Sequence, residues 1–146
     1  GSTGAWHTCG MTIFGETYCW GSNGDGRLGD GTSTSRTIPT LVRGEHTMAA
    51  IVGGGSHTCG VTTADKAYCW GYNGYGQLGN GTTTDRQEPV LVSGEYTWAS
   101  VDPGGSHTCG VTTASAAYCW GNNGNGRLGD GTTTNRYIPT KVGGSW

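Results

Sequence analysis

The feature that most constrains this chain is a repeat. His-Thr-Cys-Gly begins at His7, His57 and His107, every 50 residues. Tyr-Cys-Trp-Gly recurs in step at Tyr18, Tyr68 and Tyr118, and Leu-Gly-(Asp/Asn)-Gly-Thr at Leu28, Leu78 and Leu128. A proline follows each time, at Pro39, Pro89 and Pro139. A period near 50 without a helical pattern points to propeller blades or a β-solenoid. The expected division is one repeat domain over residues 1–146, with repeats at about 1–46, 47–96 and 97–146.

Composition narrows the fold further. Thirty of the 146 residues are glycine, and glycine costs about 1 kcal/mol per helical site relative to alanine, so an all-α fold is close to excluded. Charged residues are only 12% and the net charge is −2, against a basic-patch nucleic-acid binder or a polybasic membrane-surface protein. No apolar run approaches the roughly 20 residues that span a bilayer, so no membrane insertion is expected. Aliphatic residues are sparse, and six Trp, seven Tyr and six Cys stand in for them. These numbers favour a folded, loop-rich, disulfide-stapled β protein.

One unit reads locally as four short strands. His57–Thr62 alternates and is rich in Thr and Val, Ala67–Trp70 follows after a hairpin loop, and 73–81 is punctuated by glycine. Residues 89–92 read as a third strand with Pro89 at its first position, and 97–101 as the fourth. The fold class expected is all-β: three four-stranded antiparallel blades of a β-propeller or an open blade array. The first copy lacks the equivalent of residues 48–52, and three blades are fewer than the four to eight that usually close a ring. Assembly through the end blades, as a ring or a filament, follows as an expectation.

Each repeat holds two cysteines ten residues apart: Cys9 with Cys19, Cys59 with Cys69, Cys109 with Cys119. Pairing Cys59 opposite Cys69 sets Gly60 against Tyr68 and Val61 against Ala67, small against large, within disulfide reach. Three intra-repeat disulfides are expected, each worth about 2–3 kcal/mol by the chain-entropy model. The rival is a metal: His-x-Cys plus the second Cys offers three soft ligands, but structural zinc wants four and the paired-knuckle spacing is missing. No metal and no cofactor are expected. Disulfides place the chain in an oxidising compartment, extracellular, cell-surface or periplasmic.

These motifs resemble the regulator-of-chromosome-condensation repeat family. The match runs through His-Thr-Cys-Gly-Val-Thr, Tyr-Cys-Trp-Gly-x-Asn-x-x-Gly-(Gln/Arg)-Leu-Gly-(Asp/Asn)-Gly-Thr-Thr-Thr and x-Pro-x-x-Val, in three copies across nearly the whole chain. The resemblance implies four-stranded blades in a propeller, commonly of seven. Its paired-cysteine form is similar to repeats of bacterial exported and surface proteins. The resemblance also implies several functions: nucleotide exchange on a small GTPase, which is the founding member's, inhibition, or an interaction platform. Fold alone does not choose among them.

No nucleophile elbow, phosphate loop or His-Glu-x-x-His occurs, and no carboxylate pair is placed as an acid–base couple. His7, His57 and His107 recur with the repeat, which points to structural hydrogen bonds. Trp20, Trp70 and Trp120 alternate with the cysteines and so face the other side of each blade, where they pack between blades or offer a stacking platform. Residues 23–30 match a calcium loop only loosely, since Asp25 is replaced by Tyr75 and Asn125, and a glycine-rich turn is the expectation. Asn80-Gly81-Thr82 is a glycosylation sequon, or an ordinary turn asparagine. The function expected is a non-enzymatic, exported structural or interaction module. Its partners are copies of itself, further repeats or another surface protein, bound through rim loops and end strands.

Overall fold

A computed structural model describes residues 2, 3 and 6–144. Among them are twelve strands and no helix: β1 (Ser2–Thr3), β2 (His7–Met11), β3 (Thr17–Gly21), β4 (Arg36–Leu41), β5 (Met48–Gly53), β6 (His57–Thr62), β7 (Ala67–Gly71), β8 (Arg86–Leu91), β9 (Trp98–Pro103), β10 (His107–Thr112), β11 (Ala117–Gly121) and β12 (Arg136–Lys141). They form three four-stranded antiparallel sheets, β1-β2-β3-β4, β5-β6-β7-β8 and β9-β10-β11-β12. Each sheet is one blade. The blades stand side by side and the described sheets do not close into a ring.

The central hairpin keeps the expected register. Cys59 faces Cys69, Gly60 faces Tyr68 and Val61 faces Ala67, and the other two blades repeat the pattern. All six cysteines are joined, Cys9–Cys19, Cys59–Cys69 and Cys109–Cys119, each with Cα atoms 4.1 Å apart. This consumes the thiols that a zinc site would need. The hairpin turns are held locally. The Thr62 hydroxyl accepts the amides of Ala64 and Lys66, and Asp65 adopts φ +63° at the position where the first blade has Gly15.

Three details of the sequence reading are corrected. The strand that starts near Trp98 belongs to the blade that follows it, pairing with β10, and not to the unit that begins at His57. It sits there because its bulky first residue is needed over the next hairpin: a Cβ on Gly110 would lie 2.7 Å from the Trp98 ring, and one on Gly60 2.9 Å from Met48 Sδ. The glycines opposite Tyr68 and Tyr118 therefore make room for the first strand and not for the tyrosine. The first blade is not bare at this place either, since Ser2 and Thr3 pair with Cys9 and Thr8. The third correction concerns the prolines. Pro39, Pro89 and Pro139 lie inside β4, β8 and β12, not at a strand start. Each of these strands is a sheet edge whose register shifts beside the proline, so the missing N–H breaks no ladder bond.

The core runs between blades as well as within them. One buried cluster joins Cys59, Cys69, Leu78, Val92, Trp98, Val101 and Trp120 across blades 2 and 3. A second joins Cys9, Cys19, Leu28, Val42, Met48 and Trp70 across blades 1 and 2. The burial that each thin sheet cannot supply alone thus comes from its neighbour.

Candidate functional site: the contact between neighbouring blades

The contact is built from one set of groups used twice. His7 Nε2 lies 2.8 Å from Thr58 Oγ1, and His57 Nε2 lies 2.8 Å from Thr108 Oγ1. The threonines in turn donate to backbone carbonyls of the preceding blade, Thr58 to Arg27 at 2.8 Å and Thr108 to Gln77 at 2.7 Å. Because each hydroxyl proton is committed to a carbonyl, the histidine must donate from Nε2, which makes Nδ1 the bare nitrogen. Nδ1 of both is buried with no hydrogen-bond partner, so a proton there would be left unpaired, and both histidines are neutral. Burial, with the nearby Arg27 charge, lowers His7 to about 4, and burial, with the neighbouring histidines, lowers His57 to about 3. His107 is lowered too, by burial first and Arg127 second.

Tryptophan and glycine make the second part. Trp70 and Trp120 are fully buried, each seated on a glycine of the preceding blade. A Cβ on Gly29 would come within 2.6 Å of Trp70 Nε1, and one on Gly79 within 2.6 Å of Trp120 Nε1. Both glycines have positive φ, 71° and 72°, so the turn and the close approach together require glycine there. Backbone bonds complete the contact: Gly31 N–H donates to Gln87 at 2.9 Å, Gly81 N–H to Tyr137 at 2.8 Å, and Gly55 N–H to Gly104 at 2.9 Å.

Every repeated His and Trp of the sequence reading thus lies at a blade face. Trp20 is half-buried on the outer face of blade 1, and His107 is half-buried on blade 3. Asn80 is partly exposed, and its side-chain oxygen accepts Thr82 Oγ1 at 2.7 Å and Thr82 N at 3.2 Å. Among the described residues no group of three His, Cys, Asp or Glu is placed to hold a metal ion.

Sequence reasoning missed the residues that hold the contact loops in shape. Asn23, Asn73 and Asn123 are fully buried. Each accepts the amide of a buried leucine, Leu28, Leu78 or Leu128, at 2.9–3.1 Å. Each also donates to carbonyls nine and eleven residues on, Thr32 and Thr34 in blade 1. The signal was present: this asparagine stands five residues before the leucine in all three copies. An Asp–Arg pair closes the loop in two blades, Asp30 with Arg36 at 2.9 Å and Asp130 with Arg136 at 2.8 Å. Hydrogen bonds from Thr132 and Arg136 hold the Asp130 carboxyl well below the usual carboxylate range.

A profile of the regulator of chromosome condensation (RCC1) repeat matches residues 15–61, 65–111 and 116–145, and a second RCC1-repeat profile matches 48–77 and 98–127. The human E3 ubiquitin-protein ligase HERC2 is 44% identical over 43 residues, which is 30% of this chain and 1% of that protein. Prp20p of Saccharomyces cerevisiae, described with its binding to Gsp1p and histones, superposes with a TM-score of 0.86 at 20% identity, over 98% of this chain and 37% of that one. Human WBSCR16 superposes with a TM-score of 0.84 at 20% identity, over 97% of this chain and 38% of that one. This chain therefore spans little more than a third of the propellers it resembles. The repeat profile covers most of the chain, and the chain belongs to the RCC1 repeat family.

Proposed function

We propose that this chain is a non-enzymatic protein-interaction module of an oxidising compartment, and that its blade faces bind other blades of the same kind. The observation that carries this reading is the reuse of one contact set, His to Thr to carbonyl plus Trp on Gly, at both internal junctions. The outer faces carry the matching halves. Blade 1 presents Thr8 and Trp20, and blade 3 presents His107 and Gly129. The partner is thus a further RCC1-type repeat, in the same polypeptide or in a second copy. The three disulfides support export, since cytosolic thiols are kept reduced.

Catalysis has no support from His7 and His57, because both are buried and committed to interblade bonds. Nucleotide exchange is the other function that the family resemblance implies. The likeness to Prp20p, at 20% identity, concerns the fold.

Native mass at micromolar concentration tests the proposal. The expected result is a multiple of the chain mass that falls to the monomer in a Trp20→Ala, His107→Ala double variant. A monodisperse monomer of the unaltered chain overturns it.

A further inference from the structure

We propose that Asn80 is a site of spontaneous conversion to aspartate, and that blade 2 is built to hold the product. This site lies in a loop and does not depend on what the blade faces bind. The loop occurs in three copies, with Asp30, Asn80 and Asp130 at the same position. In blades 1 and 3 the carboxylate at this position uses both oxygens. Asp30 Oδ1 accepts Thr32 N at 3.0 Å, Thr32 Oγ1 at 2.8 Å and Asn23 Nδ2 at 3.2 Å, and Oδ2 accepts Arg36 Nε at 2.9 Å. Asp130 repeats this with Thr132, Asn123 and Arg136.

Blade 2 keeps only half of that arrangement. Asn80 Oδ1 accepts Thr82 N, Thr82 Oγ1 and, at 3.5 Å, Asn73 Nδ2, so it stands where Oδ1 of the aspartates stands. Its amide nitrogen then takes the place of Oδ2. That nitrogen is a donor, and so is the arginine nitrogen it replaces an acceptor for. Accordingly Arg86 Nε is buried and makes no hydrogen bond to protein. The donors to Oδ1 are in place, and what blade 2 lacks is an acceptor for Arg86 Nε where Asp30 and Asp130 offer their second oxygen.

The residue that follows makes the exchange of that atom chemically accessible. Gly81 has no side chain to keep its amide nitrogen from the Asn80 side chain. Once a solvent base removes the Gly81 amide proton, that nitrogen attacks Asn80 Cγ. A new C–N bond closes a five-membered succinimide, the Cγ–Nδ2 bond breaks, and ammonia leaves with a proton from water. Water then opens the ring. Cleavage of the new Cγ–N bond restores the backbone and leaves aspartate. Cleavage at the Asn80 backbone carbonyl leaves isoaspartate instead. The net change is asparagine plus water to aspartate or isoaspartate plus ammonia, with no oxidant or enzyme.

The fold both slows and directs the reaction. Gly81 N–H is held by Tyr137 O of blade 3 at 2.8 Å, so attack waits for the loop to open. Aspartate returns the loop to the geometry of blades 1 and 3, with Arg86 Nε as the donor to the new oxygen. Isoaspartate inserts a methylene into the main chain and displaces the Gly81 amide from Tyr137.

Two measurements on the disulfide-bonded chain test this. First, Asn80→Asp is expected to raise Tm by about 2–6 °C, and the gain should vanish in an Arg86→Gln background. No gain, or a gain that survives without Arg86, overturns the proposal. Second, the folded chain is aged in mildly alkaline buffer beside the free peptide of residues 67–86, and both are resolved by mass and chromatography. The expected result is slower conversion at Asn80 than in the peptide, with a larger share of aspartate over isoaspartate. No conversion in the folded chain, or the same product ratio as the free peptide, overturns it.

Discussion

The two blade contacts share their polar part and differ in what fills them. At both, a neutral histidine, a threonine and a carbonyl form the same relay, and a tryptophan sits on a glycine. Between blades 2 and 3, Trp98 packs against Trp120 with ring centroids 5.4 Å apart and edge-on to Tyr118 at 6.1 Å, and Tyr96 lies 4.6 Å from Tyr118. Between blades 1 and 2 the same positions hold Met48 and His46. His46 stacks on Tyr68 at 3.9 Å, and a cavity of about 670 Å³ lies against Met48, bordered by Phe14, Leu41 and Val42. The difference separates two jobs. Directional polar groups set how one blade is placed on the next, while the apolar filling sets how firmly it is held.

Reduction of all three disulfides removes the frame on which the comparison rests. By the chain-entropy model it takes away about 6–9 kcal/mol, which is of the order of a domain's whole stability, about 5–15 kcal/mol. Reductant is therefore expected to abolish the cooperative melt, and an unmoved melting curve breaks the stapled-blade account. Next in size, Trp98→Ala should cost about 3–5 kcal/mol and Met48→Ala nearer 2 kcal/mol, since the first contact already has open space beside it. Equal losses in chemical denaturation break the distinction between the two contacts.

The shared relay makes a pH prediction that concerns both contacts together. His7 and His57 are held at about 4 and about 3 in the folded chain, below the ordinary 6.5. The unfolded chain binds more protons in between, so stability is full above pH 6.5 and falls as pH drops toward 4. The carboxyls of Asp30 and Asp130 are lowered from 3.8, so their contribution is lost only below that value. A Tm that holds steady from pH 7 to 4.5 contradicts the neutral relay. The smallest expected effect sharpens the comparison: Met48→Trp should fill part of the cavity and raise Tm by about 2–4 °C, for about 1 kcal/mol. A loss there means the first contact has a shape of its own.

Much of the fold was legible because the repeat supplies three readings of each position. Cysteine spacing and alternation place the central hairpin to the residue, since a one-residue slip would send every side chain to the other face. Strand membership was harder. Residues 97–101 look alike whether they end one unit or begin the next, and only the space above Gly110 decides it. The prolines were read as strand starters because a missing N–H suggests a terminus, yet a sheet edge tolerates it equally. At the candidate site, recurrence singled out His57 and Trp70 but could not say what they meet, because Thr108 and Gly29 reach them only across blades. Asn73 was passed over because asparagine between glycines reads as a turn residue, although here it is buried and makes the turn.

The edge prolines have a consequence for how such blades coexist at high concentration. The first strand of each later blade leans on its predecessor, with Met48 N–H bonded to Gly15 O and Trp98 N–H to Asp65 O. The fourth strand ends each sheet with no strand beyond it, touched in blades 2 and 3 only by one loop amide of the preceding blade, and it carries greasy residues, Ile38 at 69% exposure and Ile138 at 52%. A row like this ordinarily invites fibrillar stacking with strangers. Pro39, Pro89 and Pro139 interrupt it in every blade, which denies a foreign strand a continuous ladder and leaves lateral polymerisation without a template.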